Sequence, residues 1–153
     1  MSLEEYRGKR DFRKTSEPEG SVRPSQQDTG IYVIQKHQAT HLHYDLRLQM
    51  NGVLKSWALP KGPPLQTNLK RLAVQTEDHP IEYAGFEGVI PEGEYGAGKV
   101  EVWDIGTFKP IEVDNDKIIF TIEGEKLKGD YCLIKLRPKA DLKNWLFFKK
   151  EVH

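Results

Sequence analysis

The run His41-Leu42-His43-Tyr44-Asp45-Leu46-Arg47-Leu48 alternates polar, chemically capable side chains with apolar ones. In an extended strand alternate side chains share a face, so His41, His43, Asp45 and Arg47 point one way while Leu42, Tyr44, Leu46 and Leu48 point the other. A solvated strand face favours Thr, Lys, Glu or Gln. Two imidazoles, a carboxylate and a guanidinium in one row instead form a kit for holding a metal ion and a phosphate. His43 and Asp45 can reach a common ion, and His37, shortly before them in the chain, can supply a third ligand. Two nitrogens and one oxygen leave positions open for water and substrate, as a catalytic metal requires. Mixed imidazole and carboxylate ligation suits Mn, Fe or Zn rather than Ca, and the residues alone do not choose among them. Arg47 would offer a planar fork to a phosphate held by that metal. His79, just before Pro80, reads alone as a surface histidine; beside the stripe it becomes a candidate member of the site.

Two other readings fit part of this pattern. His43-x-Asp45 followed by His79 also spells the facial triad of non-haem iron oxygenases, which occur in β-barrels; Arg47 beside the ligands argues for phosphate chemistry instead. A non-catalytic nucleic-acid-binding barrel would use aromatics to stack bases and Arg and Lys to follow the backbone. The ordered histidines and the neutral net charge weigh against it.

The elements that must position these residues are short β-branched and aromatic runs separated by turn residues. Strands are predicted over Ile31–Lys36, Leu42–Met50, Val53–Leu59, Arg71–Glu77, Lys99–Ile105, Lys117–Ile122, Tyr131–Arg137 and Trp145–Lys149. Asn51-Gly52 between two alternating runs signals a type I′ hairpin, because both central residues need positive φ. Asp114-Asn115-Asp116 and the Gly124–Gly129 segment read as further turns. About eight strands with little helix predict an all-β fold, a small and partly closed β-barrel that protects its edges, with a sandwich as the alternative. Residues 1–30, broken by Pro18, Gly20, Pro24 and Gly30, are expected to form an irregular arm over a single domain, with the barrel spanning 31–153. Gly85–Gly98 is too rich in glycine for a regular element and has neither GxGxxG nor Walker spacing, so it reads as a loop shaping the barrel end.

Composition sets limits. The 153 residues suffice for one core, and 37% hydrophobic with 30% charged residues is globular usage. Lys plus Arg equals Asp plus Glu at 23 each, so phosphate binding must come from local grouping of charge. The cluster Arg7, Lys9, Arg10, Arg13 and Lys14 reads by itself as a solvated segment. The single cysteine, Cys132, shares its parity with Ile134 and Leu136 and is expected in the core rather than as a nucleophile. The first residues lack the features of a signal peptide and no run reaches membrane-span length, which predicts a cytoplasmic protein without membrane association.

With these residues assembled, the chain from Tyr6 to Lys149 resembles the 3′-phosphoesterase domain found at the start of bacterial DNA ligase D and as a stand-alone protein in some archaea and bacteria. The likeness is carried by Arg10-Asp11-Phe12 with Thr15 and Glu17-Pro18, Val33-Ile34-Gln35-Lys36-His37 and Leu42-His43-Tyr44-Asp45-Leu46-Arg47-Leu48. It continues through Trp57-Ala58-Leu59-Pro60-Lys61-Gly62-Pro63, Glu77-Asp78-His79-Pro80-Ile81-Glu82-Tyr83, Phe86-Glu87-Gly88, Ile90-Pro91-Glu92-Gly93-Glu94-Tyr95-Gly96-Ala97-Gly98 and Trp103-Asp104. Ser16 stands where the family usually has Pro, and Leu46 where Phe is common; neither change removes a chemical group. Nothing in these residues resembles the ligase or polymerase parts.

The resemblance implies a small β-barrel with a crescent groove, a preference for Mn2+ with Co2+ or Zn2+ as other occupants, and removal of a 3′-terminal ribonucleoside and then of the 3′-phosphate. By position it makes His37, His43 and Asp45 the metal ligands and sets Arg47, His79 and Tyr83 against the scissile phosphate. Arg10, Asp11 and Glu17 in the arm, with Gln35, Lys61 and Arg71, match supporting positions. His41 falls at a variable position and is left out of the metal shell. The implied partners are DNA or RNA–DNA primer-template 3′ ends, with separate ligase, polymerase or Ku-type end-joining proteins, and the chain is expected to be a monomer.

Overall fold

The structure, a computed structural model, describes residues 3–18, 29–136 and 143–150. The alternating run forms the second strand of a hairpin, β1 (Gly30–Gln38) and β2 (Leu42–Met50), and β3 (Val53–Leu59) comes next through Asn51-Gly52. Their φ values of 53° and 80° are those a type I′ turn demands. The remaining strands are β4 (Lys70–His79), β5 (Gly88–Ile90), β6 (Gly98–Val113), β7 (Lys117–Glu123), β8 (Lys128–Lys135) and β9 (Asn144–Lys149). They pair in the order β1-β2-β3-β4-β9-β8-β7-β6, and β6 pairs back onto β1, closing an eight-stranded antiparallel barrel. β5 lies outside the ring, on β6 before β7 takes up that edge.

An eight-stranded ring is just wide enough to be filled by side chains. Tyr32, Ile34, Leu46, Leu48, Trp57, Phe120, Tyr131 and Phe147 fill it, all essentially inaccessible. A second apolar cluster forms on the outside of the wall, where Val33, Leu54 and Val100 are covered by Tyr6, Tyr83, Ala84, Phe86 and Ile90. The cover consists of α1 (Leu3–Gly8), a 3-10 helix (Ile81–Gly85) and β5. The outward face of β1 and β2 is therefore roofed rather than bathed in solvent.

The structure corrects several expectations. The arm is not wholly irregular: Leu3–Gly8 is helical, with Leu3 and Tyr6 buried. A six-residue helix is too short to be stable by its own hydrogen bonds, and packing of Tyr6 holds it. Residues 19–28 of the arm, the end of the seventh predicted strand at Arg137 and the last residues of the chain lie outside the described residues. The Gly85–Gly98 segment contains a regular element, β5, and β6 runs eight residues beyond its predicted end at Ile105, through a bulge between Pro110 and Glu112. Cys132 is buried, as expected; it lies on the outer face of the sheet between its cross-strand partners Ile119 and Phe148, while Tyr131 and Leu133 face the barrel interior. Among the described residues no helix is long and apolar enough to cross a membrane.

One carboxylate organises the turn between β7 and β8. Asp104 Oδ1 accepts the N–H groups of Glu125 (2.8 Å) and Lys126 (3.2 Å); Oδ2 accepts that of Leu127 (3.0 Å) and the Tyr32 hydroxyl (2.9 Å). Burial alone would raise this carboxyl, but those donors hold it below its ordinary value. A Cβ on Gly124 would come within 2.3 Å of Asp104 Oδ2, so only glycine fits. Asp104→Ala orphans these donors and is expected to cost about 3 kcal/mol, read as a lowered Tm. Because the folded pKa is the lower one, the Asp104 contribution is present above the unfolded carboxyl value of about 3.9 and drains away as pH falls through the folded value. A variant with unchanged Tm at neutral pH would contradict this.

Candidate metal and phosphate site

Hairpin register assembles the ligands. His37 stands directly across from His43, Gln35 from Asp45 and Val33 from Arg47, all on the outer face. Ligand atoms of His37, His43 and Asp45 lie within 4.8 Å of one another, the one such group among the described residues. Asp45 Oδ2 is 3.4 Å from His43 Nε2 and 3.7 Å from His37 Nδ1. Ligand atoms ~2.1 Å from a shared tetrahedral ion stand ~3.4 Å apart, so the spacing fits a common metal.

The remaining nitrogens select the tautomers. His37 Nε2 is 2.7 Å from the Gly96 carbonyl and His43 Nδ1 is 3.2 Å from the His41 carbonyl. A carbonyl only accepts, so these nitrogens carry the protons, and the lone pairs of His37 Nδ1 and His43 Nε2 face Asp45. Burial alone would raise the Asp45 carboxyl; hydrogen bonds donated by His37 and His43 in their imidazolium forms, with the Arg47 charge, overcome it and hold Asp45 well below the usual carboxylate range. Asp45 in turn raises His43, against burial. The donor set, its tautomers and its charge all fit a divalent ion.

Beside the trio lies a cleft of about 290 Å³ floored by Arg47, His79 and Thr76 and walled by Arg10, Tyr83, Glu77 and Tyr95. Arg47 is 4% exposed; its Nε donates to Gln35 Oε1 at 2.6 Å, its guanidinium lies 4.8 Å from the Tyr83 ring centroid, and Nη2 is 3.7 Å from Asp45. His79 reaches this face because of a bulge. Ser56 pairs with Thr76 but Leu54 pairs with His79, so one extra residue makes His79, not Asp78, the outward partner of Leu54. His79 Nδ1 is 2.9 Å from the Glu77 carbonyl and 3.2 Å from Arg47 Nη1, while Nε2 faces Arg10 Nη2 at 3.4 Å. Burial, then the charges of Arg47 and Arg10, push the imidazole well below its ordinary pKa. Burial also pushes the Tyr83 hydroxyl well up, helped by the Glu17 carboxylate it meets.

The arm closes the site. Arg10 Nε pairs with Glu17 at 2.9 Å and Nη1 with Glu77 at 3.2 Å, and its guanidinium stacks 3.9 Å from the Tyr6 centroid. Thr15 donates to Glu17, and the Tyr6 hydroxyl to the Pro18 carbonyl. The arm's basic cluster is thus not simply solvated, because Lys9 and Arg10 fold back onto buried Glu77.

Of the residues singled out from sequence, the structure gathers His37, His43, Asp45, Arg47, His79, Tyr83 and Arg10 around the cleft, with Gln35 and Glu17 directly behind. Asp11 stays at the surface, its carboxylate bound by Arg13 at 3.1 Å. Lys61 is exposed in the turn after β3. Arg71 lies across from inward-facing Phe147, on the other side of the sheet from the cleft. His41 precedes β2 and contributes only its carbonyl. The ligand set His43, Asp45 and His79 is not formed, since His79 faces Glu77, Arg47 and Arg10. Glu77, Lys9, Tyr95 and Gly96 went unassigned in the sequence. The loop read as merely shaping the barrel end supplies the carbonyl that orients His37.

Comparison with known proteins places this geometry. Residues 35–135 match the family described as the DNA Ligase D 3′-phosphoesterase domain. The chain is 49% identical to the multifunctional non-homologous end joining protein LigD of Pseudomonas aeruginosa, over 96% of this chain and 18% of that protein. It is 48% identical to the protein of the same name in Mycolicibacterium smegmatis, over 94% of this chain and 20% of that one. With the multifunctional non-homologous end joining DNA repair protein LigD of Mycobacterium tuberculosis the identity is 47%, over 87% and 18%. The chain thus spans about a fifth of the length of these relatives.

His79 is expected to remain a neutral imidazole as pH falls through 6.5, because its folded pKa lies below that of the unfolded chain. Proton uptake by the unfolded state alone then lowers stability below that pH. A 15N NMR titration reads the ring directly; an imidazolium signature for His79 at pH 6.5 would contradict the geometry.

Proposed function

The chain belongs to the DNA ligase D 3′-phosphoesterase domain family, and on that premise we propose that it is a metal-dependent hydrolase that heals 3′ ends during DNA repair by end joining. It removes 3′-terminal ribonucleosides as a phosphodiesterase and 3′-phosphates as a phosphomonoesterase, leaving a 3′-hydroxyl on DNA or RNA–DNA primer-templates. The observation that carries this reading is the convergence of His37, His43 and Asp45 beside the buried guanidinium of Arg47. The names of the relatives support the end-joining setting. Ligase, polymerase or Ku-type proteins as partners, a monomeric state and a cytoplasmic location belong to the proposal.

His37, His43 and Asp45 would hold Mn2+, with Co2+ or Zn2+ as alternative occupants. When bound, the ion supplies Lewis-acid polarisation of a phosphate oxygen. Arg47, pinned at Nε by Gln35, turns its two Nη groups toward the cleft, where they neutralise charge growing on equatorial phosphate oxygens. Arg10 adds a second guanidinium, which makes the described part of the arm, residues 3–18, part of the site. His79, held neutral by burial and by the Arg47 and Arg10 charges, lines the cleft and can hydrogen-bond an arriving phosphate. Tyr83 keeps its proton and serves as a hydrogen-bond donor, not a nucleophile.

The deciding assay is release of phosphate from a 3′-phosphorylated primer with and without Mn2+; metal-dependent release supports the reading, and binding without release would reduce the chain to a nucleic-acid-binding barrel. His43→Ala and Asp45→Ala are each expected to abolish both activities while far-UV circular dichroism stays that of the parent. Undiminished turnover by metal-free His43→Ala would remove the proposal. Arg47→Ala is expected to lower kcat by about a hundredfold or more, the scale of losing one transition-state donor.

A further inference from the structure

Tyr95 is the one aromatic on the cleft wall that belongs to neither apolar cluster, and it is 47% exposed. A phosphate site needs cations and donors; a half-exposed aromatic ring beside them, outside both apolar clusters, suits a further ligand group. Its placement is firm on both sides. The next residue, Gly96, accepts the hydrogen bond from His37 Nε2, so Tyr95 sits one residue from a contact to the metal trio. Across the cleft, Lys9 Nζ lies 3.3 Å from the Tyr95 hydroxyl and 4.6 Å from the ring centroid, and the Arg10 guanidinium is 5.4 Å from that centroid. The ring thus spans from the metal end to the cationic arm, held at its hydroxyl tip with much of its surface open.

We propose that Tyr95 is a stacking platform for the nucleobase of the nucleotide that bears the 3′-phosphate, and so a positioning residue for the reaction proposed above, on which this inference rests. Every base has a π-face, so such a platform tolerates any sequence, as an enzyme acting on arbitrary broken ends requires. The Lys9 hydrogen bond holds the hydroxyl, and the Lys9 and Arg10 cations over the ring favour a π-rich partner against it.

The test measures affinity, by fluorescence anisotropy in chelator, for two 3′-phosphorylated primer-templates that differ only in whether the terminal nucleotide carries adenine or is abasic. The parent protein is expected to bind the abasic end about tenfold more weakly, the scale of losing one stacked base. Tyr95→Ala should bind the adenine end about tenfold more weakly than the parent and fail to distinguish the two ends. Tyr95→Phe and Tyr95→Trp, which keep a ring, should restore the distinction. If Tyr95→Ala still prefers the adenine end tenfold, or Tyr95→Phe behaves like Tyr95→Ala, the stacking role is overturned. Phosphate release with Mn2+ on the same ends reports separately on the hydrolase reading, so failure of either idea is visible without the other.

Discussion

A guanidinium that is almost fully withdrawn from water must have its donors and its charge answered locally, and burial of Arg47 imposes that demand on the outer wall of this barrel. Gln35 answers Nε, Asp45 answers the charge, and the Tyr83 ring covers a face. Gln35 can do this because its own amide is spoken for: Nε2 donates to the carbonyls of Tyr83 and Phe86, at 2.8 and 3.1 Å. The 3-10 helix is thereby tied to the strand through one side chain. The roof, the strand and the site form a single hydrogen-bonded unit, and removing any member strands a buried polar group elsewhere.

The arm repeats the logic with opposite sign. Glu77 and Glu17 are buried carboxylates on different segments, and Arg10 stands between them. Burial works against Glu77, yet the bond to its carboxylate from Lys9 and the Arg10 charge bring it below its ordinary value. Docking the arm therefore completes an electrostatic balance left open by the barrel alone. It also delivers Arg10 to the cleft in a fixed orientation, stacked on Tyr6.

Much of this was legible from residue types. β2 and β3 have the bounds that alternation assigns, and the Asn51-Gly52 turn is dictated by the need for positive φ. The trio His37, His43 and Asp45 was readable because strand parity and hairpin register are local properties. The features that escaped depend on non-local contacts. A six-residue helix carries too little signal to be seen before Tyr6 finds its partners. In Tyr131–Leu136 both faces are largely apolar, so parity showed that Cys132 is buried but could not say which side faces the barrel interior. The outward aim of His79 depends on one bulge residue, which no periodicity reveals. A carbonyl such as that of Gly96 has no signature at all, since every residue has one.

The cleft lies on the flank of a closed ring whose interior is filled, not in its mouth. A small metabolite can enter a lumen, but a polymer terminus drags its whole helix behind it. A flank site lets a long, stiff rod lie alongside the wall and present only its tip, with no ceiling on the length of the rod behind. The packed interior is correspondingly released from chemistry, so drift in its aromatic filling can alter thermal tolerance while the catalytic surface stays as it was.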